Sequence, residues 1–112
     1  MTKIECVLRP DKILDVRKVL GKLGIKGMTV TEVIGCGLQK GHTRDDWNTE
    51  LKINLLPKTK IEMVVSDTMV DEVIKAIVNI SRTGEIGDGK IFTYPVGNAI
   101  RIRTGETGED AI

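Results

Sequence analysis

The densest chemistry in this chain lies in one short run, Thr83-Gly84-Glu85-Ile86-Gly87-Asp88-Gly89-Lys90. Glycines let consecutive backbone N–H groups turn toward one point, which makes a concave anion nest. Lys90 adds a point charge beside it. The spacing from Gly84 to Lys90 satisfies G-x-x-x-x-G-K, yet the Walker reading fails on two counts. Ile91 stands where a magnesium-binding Ser or Thr is required. The following residues, Ile91-Phe92-Thr93-Tyr94, read as a strand, where a P-loop opens a helix. A plain glycine turn joining helix to strand would carry the same letters. The pair Arg101-Ile102-Arg103 shifts the balance. In an extended segment both guanidiniums share one face, and arginine forks suit phosphate oxygens.

Other polar positions are less specific. Gln39-Lys40 and Lys58 bracket a long loop, and a lysine at such a glycine-flanked base can hold a carboxylate, although surface charge is the commoner explanation. His42 is a lone loop histidine with no acid–base partner at readable spacing. Trp47, the only tryptophan, sits among Asp45, Asp46 and Asn48 and is a candidate partner anchor. No nucleophile–base pair, metal cluster or dinucleotide fingerprint stands out, which favours binding over catalysis.

The elements that must position these residues follow from periodicity. Residues 3–9 alternate, with Ile4, Cys6 and Leu8 on one side and Lys3, Glu5, Val7 and Arg9 on the other, which predicts a half-buried strand. Pro10-Asp11 opens a helix with Asp11 as a cap or first-turn acid. Ile13, Val16, Leu20 and Leu23 carry the helix to Gly24. Residues 29–34 are β-branched and predict a second strand. Residues 60–66 repeat the first strand's pattern, and Asp67 or Thr68 caps the next helix, whose stripe is Val70, Val73, Ile74, Ile77 and Val78. Residues 91–96 predict a fourth strand, and the alternation over 98–103 suggests a short fifth.

Lys3-Ile4-Glu5-Cys6-Val7-Leu8 is echoed by Lys60-Ile61-Glu62-Met63-Val64-Val65, each before a helix. Two such halves predict an α+β, ferredoxin-like βαββαβ sandwich with both helices on one face of an antiparallel sheet. The opposite face is half apolar and half charged, so it is expected to line a subunit interface or ligand cleft. Residues 35–57 are too long for an ordinary connection. Their polar middle, 41–50, marks a functional loop, and 51–56 are expected to extend the strands as an arm.

The chain has 112 residues, 40% hydrophobic and 29% charged, as in one soluble domain. A net charge of +1 and 3% aromatic residues argue against nucleic acid as a partner. No apolar run approaches a membrane span or a signal peptide. Cys6 and Cys36 lie far apart in apolar strand-like runs and are expected to be buried free thiols of a cytoplasmic protein.

Taken in order, these strings resemble the PII nitrogen-regulatory signalling proteins over 3–112. Gly27-Met28-Thr29-Val30-Thr31-Glu32-Val33 resembles the family's second strand and Leu56-Pro57-Lys58-Thr59-Lys60-Ile61-Glu62 its third. Gly35-Cys36-Gly37-Leu38-Gln39-Lys40-Gly41-His42-Thr43 resembles the start of its T-loop. The B-loop and C-terminal-loop strings, 83–92 and 100–106, are the most specific. The resemblance implies a single PII-like domain over 1–112, with a T-loop at about 37–55, a B-loop at about 82–90 and a C-loop at about 101–112. It also implies a homotrimer whose three inter-subunit clefts bind ATP and ADP competitively.

By that resemblance Gly37, Gly87, Asp88, Gly89 and Lys90 belong to the nucleotide site of one subunit, with Thr29, Glu62 and Val64 near adenine and ribose. Arg101 and Arg103 come from the next subunit. Gln39 ligates Mg2+ with the ATP phosphates, and Gln39, Lys40, Gly41 and Lys58 hold 2-oxoglutarate. The T-loop tip, Arg44-Asp45-Asp46-Trp47-Asn48-Thr49-Glu50-Leu51, departs from the family. Leu51 replaces a tyrosine that some members uridylylate, so that modification is not expected. Thr49 stands at a serine phosphorylated in others, and Trp47 replaces the arginine that plugs ammonium channels. The expected function is a non-enzymatic regulator of a protein target, a membrane transporter or regulatory enzyme, contacted through Trp47 and Thr49. The alternative is an adenylate-energy sensor without a 2-oxoglutarate response. A weak ATPase side activity is a third reading, for which no convincing general base is visible.

Overall fold

The computed structural model describes residues 1–38 and 53–112, with the side chains at 37, 38, 53 and 54 left aside. Strand β1 (Thr2–Leu8) alternates between buried and half-buried positions, as its sequence dictates. Pro10 then fixes φ at the start of a short 3-10 turn (Pro10–Lys12), which leads into helix α1 (Ile13–Lys22). The Asp11 side chain makes no capping bond. Strands β2 (Thr29–Leu38) and β3 (Ile53–Val65) follow, then helix α2 (Val70–Ser81) and strand β4 (Gly89–Pro95). Asp67 sits in a 3-10 turn before α2 but does not cap it. Its carboxylate accepts from the Thr2 hydroxyl at 2.6 Å and pairs with the N-terminal ammonium at 3.2 Å, which holds its pKa below the usual carboxylate range.

The sheet order is β2-β3-β1-β4, and every neighbouring pair is antiparallel. This is the expected ferredoxin-like arrangement of two βαβ halves. Ile4, Cys6 and Leu8 of β1 and Ile61, Met63 and Val65 of β3 point to one face. They meet Val16 and Leu20 of α1 and Val73 and Ile77 of α2. Ile91 joins this core from β4 because it stands opposite Cys6. Burial pushes the Cys6 thiol up to about 12.

Several expectations need correction. The predicted α2 stripe holds at Val70, Val73, Ile74 and Ile77, which face the core, and gains Ile80 and the buried Ser81; Val78 alone departs, lining with Ile74 a surface groove that includes Asp71, Lys75, Asn79 and Arg82. No fifth strand forms among the described residues. Ile100 and Thr107 make an isolated bridge, and 101–105 turn back on themselves through Gly105 N–H to Arg101 C=O at 2.7 Å. With no neighbouring strand to pair with, the Arg-Ile-Arg alternation closes into a turn, so strand alternation cannot place both guanidiniums on one face. Cys36 is exposed rather than buried, because it lies where β2 has run beyond the helices.

The arm expected from 51–56 is present over its described part. The β1 ladder ends at Leu8↔Thr59, while β2 and β3 stay paired out to Leu38↔Ile53. Residues 33–38 and 53–58 therefore project past β1 as a two-stranded ribbon. Ile34, Leu55 and Leu56 are exposed on it.

Candidate functional site

The open face of the sheet carries ordered rows of side chains, because antiparallel register stacks partners across strands. One row reads Thr29, Glu62, Glu5, Phe92; the next reads Thr31, Lys60, Val7, Lys90; a third reads Val64, Lys3, Tyr94. Glu5 and Glu62 are directly opposed like charges, which is unfavourable unless cations flank them. Lys3 lies 3.0 Å from Glu62, and Lys60 lies 3.9 Å from both carboxylates. The Tyr94 hydroxyl donates to Glu5 at 3.0 Å, and Lys3 stands 5.6 Å from the Tyr94 ring centre. The Lys3 bond holds the Glu62 pKa down and raises that of Lys3, while the Glu5 bond raises that of Tyr94. Phe92 and Tyr94 are each 44% exposed beside this network.

The 83–90 loop sits where this face meets the arm. Asp88 organises it. One carboxylate oxygen accepts from the backbone N–H groups of Thr83 and Gly84, each at 2.9 Å. The other accepts from the Thr83 hydroxyl and faces Arg9 Nε at 3.4 Å. These bonds, the Thr83 hydroxyl first among them, hold the Asp88 carboxyl far below the usual carboxylate range. Arg9 also donates to the Ile86 carbonyl at 2.9 Å, and Lys58 Nζ donates to the Gly87 carbonyl at 2.6 Å. A side chain at Gly87 would crowd both cations, at 3.3 Å from Arg9 and 3.4 Å from Lys58. At Gly89 φ is +104°, and a Cβ would overlap the Val7 carbonyl oxygen. Glycine at 89 is thus what lets β4 start flush against β1.

Among the expected site residues, Gly87, Asp88, Gly89, Lys90 and Lys58 come together here. Thr29 and Glu62 are register partners further along the face. Val64 lies beyond them, in a cleft of about 450 Å³ lined also by Gly24, Ile25, Gly27, Ser66, Met69 and Glu109. Gly37 is in β2 opposite Asn54. No hydrogen bond or ion pair joins Arg101 to Lys90 among the described residues. The whole of β4, seven residues or roughly 20 Å, separates the loop from the C-terminal turn. There Arg101 pairs with Glu106 at 3.2 Å, and Arg103 is exposed. Gln39, Lys40, Gly41, Trp47 and Thr49 lie outside the described residues. Among the described residues no cluster of His, Cys, Asp or Glu could hold a metal ion. Among the described residues no helix is long and apolar enough to cross a membrane.

Arg9 is the residue that sequence reasoning did not assign to the loop, and Thr83, inside it, was given no role of its own. The signal for Arg9 was available once strand pairing was considered: Leu8 opposes Gly89, so the residue that follows β1 comes beside Asp88.

Fold and loop define a ferredoxin-like α+β domain with a glycine-built loop at one end of β4 and a long β-arm beside it. The family model "Nitrogen regulatory protein P-II" matches residues 1–106, and the chain belongs to that family. Its members are signalling regulators rather than enzymes. The chain is 55% identical over 112 residues to a nitrogen regulatory protein P-II of Haemophilus influenzae, and 51% identical to nitrogen regulatory protein P-II 1 of Escherichia coli. Both alignments cover the whole of each chain. Among solved structures it is similar to B. subtilis GlnK, with a TM-score of 0.85 and 42% identity, covering 99% of this chain and 97% of that one. The B. subtilis GlnK-ATP complex gives a TM-score of 0.88 at 42% identity, covering 99% and 96%.

Proposed function

We propose that this PII protein is a cytoplasmic homotrimer that binds ATP and ADP competitively in clefts between subunits, and that the bound nucleotide sets the state of the arm and loop at about 37–55. One observation carries the reading. The glycine loop with Lys90 and the exposed Arg103 beside Arg101 lie at opposite ends of β4, so a phosphate site containing both needs two copies of the chain. The ordered charge network and exposed aromatics of the open face supply a surface for such packing. The ATP complex of the similar B. subtilis protein supports the ligand.

In this reading Gly37, Gly87, Gly89 and Lys90 receive phosphates from one subunit, and Arg101 and Arg103 close on them from its neighbour. Thr29, Glu62 and Val64 border the base and ribose. The residues expected to hold Mg2+ and 2-oxoglutarate are Gln39 for the metal and Gln39, Lys40, Gly41 and Lys58 for the acid. Of these only Lys58 is described. Its ammonium suits a carboxylate, and a dicarboxylate must share it with the Gly87 carbonyl or displace it from there. That engagement also favours a second reading, an adenylate sensor that does not respond to 2-oxoglutarate. Only a ligand with different affinities for two states of the loop can pass a signal to a target, gripped in part by Trp47 and Thr49.

Titration calorimetry with ATP, with ADP, and with ATP plus 2-oxoglutarate and Mg2+ tests the proposal. Lys90→Ala and Arg103→Ala are each expected to weaken ATP by about tenfold or more, the usual scale for a charged phosphate contact. Heterotrimers reassembled from the two variants are expected to regain wild-type affinity in some of their sites, because some clefts then pair an intact Lys90 with an intact Arg103. No regained sites in mixed trimers, or no nucleotide binding by wild type, refutes the proposal. Equal ATP affinity with and without 2-oxoglutarate selects the second reading.

A further inference from the structure

We infer that Asp88 and Arg9 are positioning residues of the phosphate loop: they form an internal clasp that holds 83–90 in its binding shape before a ligand arrives. This rests on the nucleotide reading of the loop proposed above.

An unliganded glycine-rich loop loses backbone entropy when it orders, about 1 kcal/mol or more per residue. Something must offset that if the nest is to exist in the free protein. The Asp88 carboxylate does so from inside. It accepts from the N–H groups of Thr83 and Gly84 and from the Thr83 hydroxyl, closing the chain on itself over five residues. Those two N–H groups are the start of the sequence-predicted nest, and an intramolecular anion already occupies them. Phosphate is left with the second half of the loop.

Arg9 shapes that second half. A peptide unit is planar and trans, so a carbonyl pinned one way sends the N–H of the next residue the other way. Arg9 holds the Ile86 carbonyl at 2.9 Å, which turns the Gly87 N–H away from the guanidinium. Lys58 holds the Gly87 carbonyl at 2.6 Å and does the same for the Asp88 N–H. Two successive N–H groups are thereby presented on the side opposite the cations, the arrangement of an anion-binding concavity. Arg9 also offsets the Asp88 charge, 3.4 Å away, which would otherwise repel a polyphosphate. Neither side chain needs to touch the nucleotide.

The test compares ATP and ADP binding by wild type, Asp88→Ala, Asp88→Asn, Arg9→Gln and the double variant Arg9→Gln/Asp88→Asn, each with Mg2+ and with EDTA. Hydrogen exchange at the Thr83 and Gly84 amides of the nucleotide-free proteins is measured in parallel. Asp88→Ala is expected to weaken ATP about tenfold or more, equally for ADP and equally in EDTA, and to speed exchange at both amides. Asp88→Asn keeps one acceptor oxygen and is expected to lose less. The double variant is expected to bind better than the product of the single losses predicts, because Arg9→Gln alone leaves a bare carboxylate near the phosphates. Affinity of Asp88→Ala within twofold of wild type overturns the inference. So does a loss that disappears in EDTA, which makes Asp88 a metal ligand, and so does a strictly multiplicative double variant. Absence of ATP binding by wild type refutes instead the nucleotide reading, and the exchange data then still report whether the clasp exists. Should Asp88→Ala fail to fold, Asp88→Asn and the exchange rates carry the same decision.

Discussion

Gly84 and Gly89 belong to one loop and share a left-handed backbone, at φ +86° and +104°, but their surroundings differ, and alanine at each separates two costs. At Gly84 a Cβ meets nothing within 4 Å. Gly84→Ala should therefore cost only the conformational term, about 1–2 kcal/mol. At Gly89 the added carbon overlaps the Val7 carbonyl oxygen, lies 3.0 Å from that carbonyl carbon and 3.3 Å from Leu8 Cα. All three atoms are backbone of a central strand and cannot rotate aside. Strand β4 must lift from β1 at the Leu8↔Gly89 pair, weakening the end of that ladder at about 1 kcal/mol per hydrogen bond, with a further ~1–3 kcal/mol for overpacking. Gly89→Ala should therefore cost about 3–6 kcal/mol. At about 4 °C per kcal/mol for a domain near this size, the melting temperature should fall by roughly 4–8 °C for Gly84→Ala and roughly 12–24 °C for Gly89→Ala. Urea and thermal denaturation at one fixed protomer concentration make the measurement, since assembly would couple stability to concentration. Losses for the two variants that agree within about 0.5 kcal/mol would show that the contact with β1 is not what requires glycine at 89.

The remaining predictions concern thiols and pH. In the native protein one thiol per chain, Cys36, should react rapidly with a disulfide reagent at pH 8, and Cys6 only on unfolding, because burial holds it protonated up to about 12. Two fast thiols in the native protein would refute the buried assignment. The Lys3–Glu62 pair predicts both limbs of the stability profile. The Glu62 pKa is lowered on folding, so its contribution is present above the unfolded value of about 4.3 and disappears as pH falls through the folded one. The Lys3 pKa is raised on folding, so its contribution is present below about 10.4 and is lost as pH rises through the folded value. Lys3→Met should flatten the urea-midpoint profile at both ends, and an unchanged profile would show that the pair is not coupled to folding.

Much of this architecture is legible in the sequence because its signals are local. The alternation of Ile4, Cys6 and Leu8 and its echo at Ile61, Met63 and Val65 predict both central strands and the face they bury. The stripe on α2 is legible in period and phase through Val70, Val73, Ile74 and Ile77, but not at its C-terminal edge, where only packing against α1 and the sheet decides that Ser81 goes in and Val78 stays at the surface. The arm is anticipated from loop length, but its burial is not: Cys36 and Ile34 carry core-type letters on a ribbon that has left the helices behind. Arg101-Ile102-Arg103 misleads because alternation is a pattern of side chains, whereas a strand also needs a neighbour. At the loop, glycines and Lys90 are visible as a motif. The grip of Arg9, 77 residues away on the Ile86 carbonyl, and of Lys58, 29 away on the Gly87 carbonyl, is tertiary and appears only when β1, β3 and β4 are side by side.

Strand β3 runs without a break from Ile53 to Val65, half of it woven into the sheet beside β1 and half of it standing free with β2. The joint between body and arm is therefore a continuous girder rather than a hinge. A girder amplifies: with about 20 Å of free length over residues 53–58, a tilt of about 10° at its root carries its far end roughly 3–4 Å. Lys58 sits at that root with its ammonium on the Gly87 carbonyl. A sub-ångström adjustment at one peptide of the glycine loop would act beside the fulcrum, where a given displacement is magnified most.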